Sequence, residues 1–105
     1  MRKKTNPIPP GEVLRNEFLE PLGISQNKLA RDIDVPVTRV GDIIHGRRGI
    51  TADSALRLAV YFGTTPEFWL NLQKLHELRL AEQQCGREVR ALPRIADIHR
   101  RSRAA

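Results

Sequence analysis

Residues 25–48 read SQNKLARDIDVPVTRVGDIIHGRR, and this stretch decides the fold. Leu29, Ala30 and Ile33 recur at helical spacing, which predicts a helix over Gln26 to Ile33. Ser25 stands before it as the N-cap, because a serine oxygen can accept a bond from an otherwise unpaired helix N–H. Asp34-Val35-Pro36 breaks the pattern. Proline disfavours helix in the residue before it and suits the first helical position. A second helix is expected from Pro36 to about Ile44, with Val40, Ile43 and Ile44 facing inward and Gly46 ending it. Small Ala30 lets the second helix cross close to the first. This is the geometry of a helix-turn-helix, which lays its second helix in the major groove of DNA.

Removing the core positions leaves Val37, Thr38, Arg39 and Asp42 on the outer face of the second helix. Thr38 and Arg39 fall in its first turn, the part that reaches base edges in this docking mode. Arginine can bond guanine bidentately, and a Val37 or Thr38 methyl can meet a thymine methyl. Arg47 and Arg48 follow the helix, placed for phosphate. The plainer alternative is a helical hairpin whose outer face is merely solvated.

A chain of 105 residues makes one domain with a modest core. It has no apolar run of about twenty residues, so no membrane span is expected. The start MRKK leads into NPIPPGE rather than an apolar run, so no signal peptide is expected either. The lone Cys85 excludes an internal disulfide and suits a reducing cytoplasm. The net charge of +6 is uneven. Residues 1–4 hold Arg2, Lys3 and Lys4, residues 86–105 sum to +4, and residues 5–85 sum to −1. Basic arms and a local cluster (Lys28, Arg31, Arg39, Arg47, Arg48) form the electrostatic footprint, not a basic core.

Residues 1–9, with two prolines and no periodicity, are expected to be a flexible arm. A domain over 10–85 should follow, then a basic tail over 86–105. The first helix should run from about Gly11 to Glu20 on Val13, Leu14 and Phe18, ended by Pro21 and Gly23. Thr51 should cap a fourth helix, Ala52 to Phe62. Its Ala55, Leu58, Ala59 and Phe62 repeat at helical spacing, and Leu56 and Val60 should widen the stripe. After Gly63, Thr64 or Thr65 should cap a fifth helix running from Pro66 to about Gln84. Its apolar residues do not fit one stripe. Phe68, Leu72 and Leu75 share a side that Leu78 extends. Trp69 and Leu80 project about 100° away, and Leu70 lies opposite. A helix apolar around so much of its circumference has two burial partners. One is the domain core. The other is a second copy of the chain or the chain's own tail. The dimer candidates are Trp69, Leu72, Gln73, His76 and Leu80. In the tail, Val89, Leu92, Ile95 and Ile98 are too weak a pattern for a stable isolated helix. It either orders on a partner or is a solvated terminus.

From about Pro9 to Lys74 the sequence resembles the HigA antitoxins, lambda-repressor-like (XRE-type) helix-turn-helix proteins of bacterial toxin–antitoxin modules. The runs that carry the resemblance are PGEVLRNEFLEPLGIS (10–25), LARDIDVPVTRVGDIIHGRRGIT (29–51), TADSALRLAVYFGT (51–64) and TPEFWLNLQ (65–73), the last being the most specific. The resemblance implies an all-α, five-helix DNA-binding domain with a long fifth helix, dimeric and cytoplasmic, without a cofactor. It implies repression of its own operon at an inverted repeat of double-stranded DNA, and neutralisation of a HigB-type mRNA-cleaving toxin by direct binding. Carried over by position, Gln26 is a phosphate or base contact, Val37, Thr38 and Arg39 read bases, and Arg47 and Arg48 hold backbone. With their neighbours Asn27, Lys28, Pro36 and Asp42, these form the candidate DNA-facing set. Asp34 stands where this family's turn often has glycine, and aspartate tolerates a left-handed backbone. His45 stands where asparagine is common.

Catalytic patterns are missing. His45, His76 and His99 are widely spaced, and no HExxH, CxxC or glycine-rich phosphate loop occurs. Two further readings stay open: a stand-alone phage-type repressor without a toxin partner, and a protein-interaction module that has lost DNA binding.

Overall fold

The structure is a computed structural model that describes residues 8–98. Most of the expected arm and the end of the tail lie outside that range. The described residues fold into five main helices, with the helix-turn-helix in the middle and the longest one fifth, followed by a single helical turn over 95–98.

Helix α1 is built from three consecutive segments, Pro10–Val13, Leu14–Leu19 and Glu20–Leu22, so it starts and ends slightly beyond the range expected from sequence. The middle segment is π-helical, and Glu20 N–H bonds back to Arg15 O, five residues earlier. This widening has a packing consequence. Residues five apart in an α-helix lie about 140° from each other, whereas the wider i→i+5 turn brings them toward the same side. Leu14 and Leu19, at the two ends of this segment, are both buried. Gly23 closes the helix at φ 66°.

Helix α2 (Gln26–Ile33) begins where Ser25 Oγ accepts the Lys28 N–H at 3.0 Å. It ends at Asp34, the only non-glycine residue with positive φ (61°) among the described residues. The Asp34 and Val35 N–H groups both turn back to Ala30 O, so this turn survives without the glycine the family often uses. Helix α3 (Val37–Ile44) follows, with Pro36 as its N-cap rather than its first residue. Ala30 is 3 % exposed and lies in the core with Val40, Ile43 and Ile44.

Helix α4 (Ala52–Phe62) starts where Thr51 Oγ1 accepts Ser54 N–H. Ala55, Leu58 and Ala59 are buried as the spacing predicted. Leu56 and Val60 are not: they are 56 % and 85 % exposed, and they do not widen the core stripe. With Ile33 and Tyr61 they line a shallow apolar groove on the outer surface.

Helix α5 (Pro66–Arg90) is capped by Thr65, whose Oγ1 accepts Phe68 N–H. The regular helix breaks at Cys85 (φ −141°, ψ 17°), beside the stop expected near Gln84, and a second helical stretch continues beyond the kink to Arg90. Glu82 and Arg90, two turns apart, pair across Gly86 and bury it.

Trp69 locks α5 to the body. It is fully buried, with ring centroids 4.9 Å from Phe18, 5.0 Å from Phe68 and 6.1 Å from Phe62. Its Nε1 donates to Thr64 Oγ1 at 2.7 Å, which separates the roles of the two threonines. The expectation that Trp69 faces a second copy is therefore wrong. It has no surface to offer, because Phe18 of α1 comes up against the side of α5 that carries it. Farther along, Gln73 Oε1 accepts Ile50 N–H at 2.8 Å and pins the α3–α4 loop to α5. Gly11 lies so close to the Ile43–Ile44 backbone that a Cβ there would overlap Ile43 O.

Candidate nucleic-acid interface

Burial of Val40, Ile43 and Ile44 fixes which way α3 faces. At about 100° per residue, Thr38 and Asp42 then point directly away from the core, and Val37 and Arg39 stand on the two flanks. Val37 and Thr38 are exposed, and the Arg39 and Asp42 side chains are 30 % and 31 % exposed. Pro36 and Asn27 are also exposed. Gln26 is half-buried at the start of α2, with Oε1 3.7 Å from where a Cβ on Gly41 would sit, so the two motif helices meet there.

The charged members of the set are mostly held. Arg47 Nε donates to Asp42 Oδ1 at 2.8 Å, so the acid on the outer face is neutralised by the arginine that follows the helix. Lys28 pairs along its own helix with Asp32 at 2.9 Å, and Asp32 also accepts the Tyr61 hydroxyl at 2.6 Å. That hydroxyl bond, then the lysine, holds the Asp32 carboxyl below its ordinary range, and Asp32 in turn raises Lys28. Arg48 is exposed and makes no ion pair among the described residues. It lines a small cleft with Pro9, Pro10, Gln73 and His76. His45 Nδ1 lies 2.8 Å from Gly41 O, which ties the ring to the end of α3.

Arg39 has a partner that the sequence did not reveal. Its Nη1 donates to Asp53 Oδ2 at 2.7 Å. Arg57 Nε donates to the same oxygen at 3.0 Å, and Arg57 Nη1 bonds Ile33 O at 2.8 Å. The two guanidinium groups, Arg39 first, hold Asp53 below the ordinary carboxylate range. The only local signal was an acid in the first turn of a capped helix, which helix electrostatics explains without any tertiary partner.

The second set is dispersed. Leu72 is half-buried against the core, Gln73 bonds Ile50 N–H and Glu77, and His76 is half-buried beside the cleft. Of the five candidates only Leu80 is exposed. The large apolar side chains that α5 leaves open are Phe68, Leu75, Leu78, Leu80 and, beyond the kink, Val89, and every residue from Glu77 to Cys85 is exposed.

Comparison with known proteins matches residues 16–69 to the Helix-turn-helix family HTH_3. Virulence-associated protein I of Dichelobacter nodosus is 49 % identical over 76 residues, covering 72 % of this chain and 70 % of that protein. Antitoxin HigA-1 of Vibrio cholerae is 46 % identical over 79 residues, 74 % of each chain. The chain belongs to the HigA antitoxin family of helix-turn-helix proteins. The solved Pseudomonas aeruginosa antitoxin HigA with the higBA promoter superposes at a TM-score of 0.81 and 42 % identity, covering 86 % of this chain and 99 % of that one. HigA-family membership and the all-α five-helix fold now rest on sequence and structure together, and the family is a DNA-binding one.

Proposed function

We propose that this chain is the antitoxin of a type II toxin–antitoxin module. It binds operator DNA as a dimer, represses its own operon, and neutralises a HigB-type mRNA-cleaving toxin by direct contact. The observation that carries the DNA reading is the exposed face of α3, on a fold shared with a 42 % identical antitoxin solved with promoter DNA. Val37, Thr38, Arg39 and Asp42 meet base edges. Gln26, Asn27, Lys28, Arg47 and Arg48 hold the phosphate backbone, which Lys28 and Arg47 reach by exchanging surface ion pairs that are weak in water, and Pro36, which has no donor, only borders the DNA.

The dimer forms through α5. Leu75 and Leu78, 45 % and 63 % exposed, lie outside the buried core among the described residues, and the partly buried Leu72 borders them. Two such subunits set their α3 helices about one DNA turn apart, roughly 34–36 Å, on an inverted repeat.

The toxin half of the reading rests on family membership and is tested by co-expression. The small reading frame adjoining this gene should arrest growth alone, be harmless with this chain, and co-purify with it. Arrest that persists despite equal expression of this chain contradicts the antitoxin reading and leaves a repressor.

A further inference from the structure

The chain Arg57–Asp53–Arg39 ties α4 to both motif helices. Arg57 anchors on the carbonyl of Ile33, the last residue of α2. It thereby fixes Asp53 from behind, and Asp53 Oδ2 takes one amino group of Arg39. The hold is one-sided. Among the described residues Arg39 Nε and Nη2 have no bond of their own, and the side chain is 30 % exposed, which leaves the outer edge of the guanidinium with two parallel N–H donors. That edge is the shape that fits guanine O6 and N7. A free arginine on a flank of α3 would instead sweep a wide arc and settle on whichever phosphate it met.

We propose that Asp53 is a positioning residue for sequence reading: by holding Arg39 through Nη1 it presents the open guanidinium edge to a guanine and keeps that charge off the phosphates. Asp53 lies on α4, outside the helix-turn-helix, and contributes to selectivity without touching a base. This rests on the base-reading role of Arg39 proposed above. The negative charge of Asp53 adds to the effect, because it opposes indiscriminate approach to the DNA backbone.

The test uses the full chain in four forms: unchanged, Asp53→Asn, Arg39→Ala, and both together. Each is titrated against its own promoter duplex and a scrambled duplex across a range of salt. Asp53→Asn is expected to bind the scrambled duplex more tightly, with a salt slope steeper by about 0.9, the signature of one added phosphate contact. Its preference for the promoter should fall about tenfold, on the scale of one lost bidentate pair. In the Arg39→Ala background the same change should leave the preference where Arg39→Ala alone puts it. A merely structural role for Asp53 would alter thermal stability and leave the salt slope alone. An unchanged preference and slope in Asp53→Asn, with selectivity lost in Arg39→Ala, overturns the role of Asp53. An equal gain on both duplexes overturns it too, since that is charge without positioning. A full preference in Arg39→Ala overturns the base-reading role on which the inference rests, and is distinguishable from both.

Discussion

Replacing Trp69 by alanine should remove a large share of the stability of this domain. The side chain is fully buried, touches three phenylalanine rings, and donates its indole N–H to Thr64. Burial of a tryptophan removes about 150–250 Å² from water, or roughly 4–6 kcal/mol at 25 cal/mol per Å². Measured truncations of this kind cost about 3–5 kcal/mol, so about 4 kcal/mol is the working figure. A domain of this size has about 5–15 kcal/mol in all. Trp69→Phe keeps a ring in the cluster and loses the bond to Thr64, which should cost much less, on the order of 1 kcal/mol from the bond plus a small cavity. The assay is urea unfolding followed by far-ultraviolet circular dichroism, since Trp69 is the only tryptophan and its fluorescence disappears with it. With a slope of about 2 kcal/mol per molar, the alanine variant should unfold about 2 M earlier. Several protein concentrations are needed, because the midpoint of a dimer moves with concentration. A Trp69→Ala protein that keeps its midpoint, and loses only the concentration dependence, would show that the tryptophan meets a partner and that the packing described above is wrong.

Four further outcomes follow from the same geometry. Gly11→Ala should destabilise by about 1–3 kcal/mol in the same unfolding experiment, because its methyl would overlap the Ile43 carbonyl; full stability would mean α1 can slide. Leu78→Glu should give a helical monomer at micromolar concentration in sedimentation, and a persisting dimer would move the interface off this face of α5. Arg48→Ala should weaken binding to every duplex and lower the salt slope by about 0.9, whereas an unchanged slope would mean that it holds no phosphate. Acid should destabilise the fold through Asp32 and Asp53, whose carboxyls are held below their ordinary range. A depressed folded pKa gives stability that is complete above the unfolded value and is lost as pH falls through the folded one. Melting temperature should therefore fall on acidification below the ordinary aspartate range, less steeply in Asp53→Asn, and a variant curve parallel to the unchanged protein's would contradict the pairing.

The helices were legible because their ends carry local chemistry. Ser25, Thr51 and Thr65 each cap through a side-chain oxygen, and Asp34 adopts the left-handed turn that its residue type permits. What the sequence left open is what depends on distant segments. Periodicity shows that Leu56 and Val60 lie beside an apolar stripe, but not how wide the covering neighbour is. The offset of Trp69 from the Phe68–Leu75 side identified two faces of α5, and only the position of Phe18 shows which of them is core. Gly86 reads as a stop from its own propensity and the helix does break beside it at Cys85, but the sequence did not show the second helical stretch that follows to Arg90, where Arg90 pairs back to Glu82. In the candidate interface the outward residues of α3 followed from helical geometry. The Asp53 partner of Arg39, fourteen positions away on another helix, had no local signature.

The measurement that bears most directly on the account is a salt-titrated binding assay of the purified chain against the promoter DNA upstream of its own gene and a scrambled duplex of equal length, with stoichiometry read at saturation. The account predicts promoter-selective binding by two subunits per inverted repeat, with a selectivity that survives as salt weakens both complexes. Weak binding of equal strength to both duplexes would contradict it, because charge alone would then explain the association.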